Sequence, residues 1–97
     1  MKQGLAGVLL AVLPMTAWGS SDEAWEEFRK AVDQGCRALI EAPDAAEVAV
    51  EVNPFGSESY GAALVTIDIA EGRDRMICIF DKGTGKAELT AAFTEAE

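Results

Sequence analysis

The chain has 97 residues, 17 acidic against 8 basic side chains, a formal charge of −9 and no histidine. That length allows one domain. The acid excess argues against nucleic acid, whose phosphates are bound by clustered Lys and Arg, and against anionic membrane surfaces. Without histidine the commonest general base and metal ligand are both missing, so no cofactor, no metal site and no catalysis are expected.

Residues 1–19 read as a secretory signal peptide. Lys2 and the amino terminus form a short positive region, Gly4 to Leu13 an apolar run, and Pro14 a break. Ala17-Trp18-Gly19 then sets small residues at −3 and −1 of a cleavage site. The run is well short of the ~20 apolar residues that span a bilayer, and no cysteine sits at the cleavage point to take a lipid. The expected product is a periplasmic or secreted domain, residues 20–97, with no stable membrane anchor after cleavage.

The mature chain opens on a helix. Ser20 is the expected cap, with Glu23 reaching back as in a capping box, and Asp22, Glu23, Glu26 and Glu27 crowd the first turns where the helix dipole favours negative charge. Trp25, Phe28, Val32, Cys36 and Leu39 recur at spacings of three and four, an apolar stripe that Ile40 widens. The helix is expected to end near Glu41, before Ala42-Pro43. Glu23 and Glu27 lie one turn apart, but a solvated face explains them better than a cation site does, since no calcium-loop spacing is present.

Beyond Pro43-Asp44 the period changes to two. Val48, Val50 and Val52 mark a first strand. Tyr60 to Ile69 is a second, with Ala63, Val65, Ile67 and Ile69 on one face. Arg75 to Asp81 is a third, with Met76, Cys78 and Phe80 aligned, and Ala87 to Phe93 a fourth, with Leu89, Ala91 and Phe93 aligned. The fold class is therefore α+β: one N-terminal helix packed on a four-stranded antiparallel meander, α-β-β-β-β.

Cys36 and Cys78 are the only cysteines. In an exported chain an even count implies a disulfide. A bridge closing a loop of about 40 residues contributes about 3–4 kcal/mol in the chain-entropy model, a large gain for a domain too small to rest on its core alone. It would tie the apolar stripe of the helix to the third strand.

Two surfaces are candidates for binding. The run Asn53-Pro54-Phe55-Gly56-Ser57-Glu58-Ser59-Tyr60 gathers aromatic and hydroxyl groups in a turn-rich loop, with Phe55, Ser57, Ser59 and Tyr60 as contacts. Ser57 or Ser59 as a nucleophile would need a base that the sequence does not supply; the bland alternative has Phe55 and Tyr60 fold back on the core. The third strand is apolar on both faces, which an antiparallel sheet with a solvated back is not. Its Ile77 and Ile79, with Leu64 of the second strand, form a strip on the far side of the sheet. That strip is either a dimer or ligand surface or is covered by neighbouring long side chains. Gly83-Thr84-Gly85-Lys86 departs from a phosphate loop, because Ala87 follows the lysine and no helix follows, and reads as a turn between strands.

A helix followed by a strand, then Tyr60 leading a long strand, then Phe80-Asp81-Lys82-Gly83-Thr84-Gly85-Lys86-Ala87, resembles the PepSY domain over roughly residues 24–93. In that family a helix packs on a small antiparallel sheet, and an Asp-x-x-Thr-Gly-Lys hairpin joins late strands. The resemblance implies an exported domain that binds or inhibits a protease, or regulates a partner locally, and it carries over no catalytic residue. The cysteine pair and the Asn53–Tyr60 run depart from it. The function expected is that of a small exported binding or regulatory module, contacting a protein partner or a second copy of itself; the alternatives are an inhibitor of an exported protease or other hydrolase and, against the missing base and nucleophile pairing, an enzyme.

Overall fold

The computed structural model describes residues 21–93; the expected signal peptide, 1–19, and the expected Ser20 cap lie outside the described residues. The helix α1 spans Asp22–Arg37. Its cap is Ser21, whose extended backbone lets the hydroxyl accept the Ala24 N–H at 3.0 Å, satisfying one donor of the first turn. Arg37 in the last turn pairs with Asp33 one turn earlier, at 3.1 Å.

The helix stops sooner than its stripe predicts. After Ala38 the Leu39 and Ile40 amides bond back three residues, to Cys36 and Arg37, a tighter turn that satisfies the terminal carbonyls. The tightening moves the stripe by one position. Ile40 packs against the core while Leu39 faces solvent.

Four strands follow: β1 Glu47–Val52, β2 Tyr60–Ile69, β3 Gly72–Asp81 and β4 Ala87–Leu89. They form one antiparallel sheet in the order β1-β2-β3-β4, so the expected α-β-β-β-β meander is the fold. β3 begins at Gly72, earlier than the Arg75 expected, because its pairing with β2 runs down to Ile69 opposite Gly72.

β4 is shorter than the expected Ala87–Phe93. Leu89 pairs with Cys78, but Phe93 pairs with Arg75. Four steps along the last segment thus match three along β3, the signature of a one-residue bulge. Thr90 occupies it: its hydroxyl accepts the Ile77 N–H at 3.0 Å in place of a ladder carbonyl, and its own N–H donates to the Ile77 carbonyl.

The helix covers one face of the sheet. Phe28, Val32 and Cys36 meet Ala63, Val65 and Ile67 of β2 and Met76, Cys78 and Phe80 of β3, all buried. Each large side chain so buried contributes on the order of 1.5–3 kcal/mol. Gly61 is required for this closeness, since a Cβ there would stand 2.8 Å from both Phe28 and Val32. The Cys36–Cys78 disulfide is formed, with α-carbons 5.9 Å apart, and both residues are fully buried. It fixes the last turn of α1 to the middle of β3, as the two apolar faces predict.

Candidate functional site

The structure separates the two candidate surfaces and regroups their residues. The Asn53–Ser59 loop turns toward the helix. Asn53 Oδ1 accepts the Phe55 and Gly56 amides. Gly56 takes a φ of 71°, where a side chain is strained and a Cβ would run into the Tyr60 carbonyl. The Phe55 ring stands edge-on to Trp25, centroids 4.7 Å apart, with the Arg29 guanidinium 5.8 Å from it. Phe55 thus folds back on the helix while remaining half-exposed.

One lysine fastens this loop. Lys82 Nζ donates to the Phe55 carbonyl at 3.0 Å and to the Ser57 carbonyl at 2.6 Å. The same ammonium lies 4.9 Å from the Phe28 ring and 5.3 Å from Trp25, a cation over aromatic faces. The Ser59 carbonyl accepts the Lys82 amide, and the Ser57 hydroxyl accepts the Tyr60 amide. Ser57 and Ser59 therefore shape the turn. Gly83-Thr84-Gly85-Lys86 is the β3–β4 turn, closed by Asp81 Oδ1 accepting the Gly83 and Thr84 amides.

Tyr60 goes the other way. Side chains alternate across a strand, and Gly61, Ala63 and Val65 face the helix, so Tyr60, Ala62 and Leu64 face outward. The register sets Ala62 opposite Ile79, Leu64 opposite Ile77 and Tyr60 opposite Asp81. The bulge at Thr90 adds a residue that the alternation of Leu89, Ala91 and Phe93 hides. By pairing with Arg75, Phe93 is carried to the outward face, diagonal to Ile77, and it is 56% exposed.

The result is one apolar strip across the uncovered face. Of the six large hydrophobic side chains exposed among the described residues, Tyr60, Leu64, Ile79 and Phe93 lie on it; Leu39 and Phe55 do not. Half-buried Ile77 joins the strip at its centre. Carboxylates border it on both sides: Glu51 of β1 opposite Leu64, and Glu88 of β4 opposite Ile79. At the Tyr60 end the strip opens into a groove of about 830 Å³, floored by Ala62 and Ile79 and rimmed by Ser57, Asp81, Lys86 and Glu88. At the far end Arg73 pairs with Asp68 at 2.6 Å.

Leu64, Ile77, Ile79 and Tyr60 are thus brought together as a surface, while Phe55, Ser57 and Ser59 build the loop beside it. Among the described residues no three Cys, Asp or Glu side chains are grouped to hold a metal ion, and no helix is long and apolar enough to cross a membrane. Compared with known proteins, the chain matches no family model, no curated protein and no solved structure.

Proposed function

We propose that this protein is an exported, non-catalytic docking module that holds a protein partner against the open face of its sheet. The observation that carries the reading is the gathering of Tyr60, Leu64, Ile79 and Phe93 on one face. The opposite face of the same sheet is closed by a helix and a disulfide. A contiguous apolar strip rimmed by polar groups is the form of a protein interaction site, with an apolar centre and a polar rim. The signal-type segment 1–19 and the buried disulfide favour an oxidising compartment, periplasmic or extracellular, and the PepSY likeness of the β3–β4 turn points to a regulatory domain of the same kind.

The test is the double variant Ile77→Thr/Ile79→Thr. Threonine keeps the β-branched shape that suits a strand and removes apolar contact area. Tagged protein is recovered from its exporting host after mild crosslinking. The wild type retains a stoichiometric partner, or a second copy, that the variant loses while its near-ultraviolet dichroism is unchanged. Equal recovery by both would contradict the proposal.

The loop supports a second reading, inhibition of an exported hydrolase. Lys82, Asn53 and Gly56 hold residues 53–60 in one conformation, and preorganisation of this kind reduces the entropy lost on binding. Assay of a panel of periplasmic and secreted proteases and other hydrolases with micromolar protein tests it. Loss of activity in one of them is expected on this reading, and full activity in all counts against it.

A further inference from the structure

The two edges of the sheet are unlike. On one side β4 has three residues and is followed by the Thr90 bulge, and short, bulged edges are how sheets avoid accepting another strand. On the other side β1 pairs with β2 without interruption over all six residues, Glu47 to Val52. It contains no proline, lysine or arginine.

The direction of its free backbone groups follows from the ladder. The Asn53 N–H donates to the Ala62 carbonyl, so Asn53, Glu51, Ala49 and Glu47 bond inward to β2. In an antiparallel pair, residues alternate between bonding inward and outward. The N–H and C=O groups of Val48, Val50 and Val52 therefore point away from the sheet, and they have no hydrogen-bond partner among the described residues. The side chains of Glu47, Ala49 and Glu51 lie on the open face, and neither glutamate is ion-paired among the described residues.

We propose that β1 is a strand-acceptor site, and that its occupant is an extended segment of a partner protein bearing two basic residues four apart with apolar residues between them. The free ladder groups of Val48, Val50 and Val52 supply main-chain hydrogen bonds, as in other cases of strand addition. In an antiparallel register, basic residues four apart stand directly opposite Glu47 and Glu51, in the non-hydrogen-bonded pairs where side chains approach most closely. The intervening apolar residues fall beside Val48 and Val50 on the helix side. A second copy of this chain is the poorer occupant. β1 holds no basic residue, so a second β1 strand leaves Glu47 and Glu51 without a cation in any register, and pairing about Ala49 sets each Glu47 directly against the other copy's Glu51, where like charges are destabilising. The formal charge of −9 also steers basic segments toward the protein. The site shares with the apolar strip only Glu51, at the strip's border, and is tested separately from it.

The probe is the peptide acetyl-Thr-Lys-Val-Thr-Val-Lys-Thr-amide, titrated into the ¹⁵N-labelled, disulfide-bonded protein and followed by amide shifts and hydrogen exchange. The Val48, Val50 and Val52 amides are expected to shift and to gain protection. Replacing both lysines of the peptide by glutamate weakens binding by about ten-fold, equivalent to 1.4 kcal/mol, and the Glu47→Lys/Glu51→Lys variant reverses that preference. N-methylation of the two peptide valines abolishes the effect. Binding that shifts Leu64, Ile77 and Ile79 without protecting the β1 amides overturns strand addition while leaving the open-face reading in place. Absence of any shift at millimolar peptide, or equal binding of the lysine and glutamate peptides, overturns the proposal as well.

Discussion

Replacing Gly61 by alanine adds a methyl group where helix and sheet leave no room for one. Its carbon would stand 2.8 Å from Phe28 Cζ and from Val32 Cγ2 and 3.1 Å from Phe28 Cε1, against a carbon–carbon optimum of about 3.5–4.0 Å. Neither neighbour can yield easily. Phe28 is fully buried, with the Trp25 and Phe80 rings edge-on at 5.5 and 6.2 Å and Lys82 against its face. Val32 is fully buried and, being β-branched within a helix, has essentially one rotamer. The helix cannot back away as a body, because Cys36 is bonded to Cys78. Overpacking of this kind costs about 1–3 kcal/mol, and alanine returns about 0.4–1 kcal/mol through the unfolded chain. The net expectation for Gly61→Ala is a loss of about 1–2 kcal/mol, or a Tm fall of about 4–16 °C for a domain of this size. Thermal and urea unfolding followed by near-ultraviolet dichroism measures it. Adding Val32→Ala should be non-additive, recovering at least about 0.5 kcal/mol of the Gly61→Ala cost. A Gly61→Ala protein as stable as wild type, or strictly additive losses, would refute the close-packing argument.

Other expectations follow from single contacts. The Cys36→Ala/Cys78→Ala variant should lose about 2–5 kcal/mol, read from urea midpoints of oxidised wild type and variant. Lys82→Met keeps the apolar stem but leaves the Phe55 and Ser57 carbonyls to water; it should cost about 1 kcal/mol, with faster amide exchange in residues 55–60 and little change in β2. Thr90→Val strips the Ile77 N–H of its hydroxyl acceptor and should cost about 1–3 kcal/mol, with faster exchange of the Ile77 amide as the signature. Mass spectrometry of the exported protein should show a chain beginning at Ser20 and two hydrogens lighter than its dithiol form; a retained residue 1–19 segment or two alkylatable thiols would contradict export or the bridge.

Much of the fold could be read from the sequence because its signals are strong and independent. The stripe Trp25–Phe28–Val32–Cys36 and the alternation of β2 and β3 each define a buried face, and Cys36 and Cys78 fall on faces that meet. Ends were less legible. The capping-box spacing of Ser20 and Glu23 points to Ser20, and the helix takes Ser21 instead. No glycine marks the helix end; a tight turn that packs Ile40 against the core sets it, and that depends on the core beneath. The candidate strip was half legible. Ile77, Ile79 and Leu64 stand out because a strand apolar on both sides is unusual, but Phe93 does not. Its parity with Leu89 assigns it to the core, and only the Thr90 bulge, a tertiary pairing of one hydroxyl with the Ile77 amide, carries it to the open face. The role of Lys82 was likewise hidden, because its two carbonyl partners lie 27 and 25 residues away in the chain.

The central claim is that the open face of the sheet is where a partner sits. The most direct measurement places a photo-crosslinking amino acid at Ile79, and separately at Phe93, with exposed Lys30 and Gln34 of α1 as controls, in protein produced in its own host. The account predicts a discrete adduct with a protein partner from Ile79 and Phe93, and none from the helix positions. Adducts from Lys30 or Gln34 alone, or an uncrosslinked protein at all four positions, would contradict it.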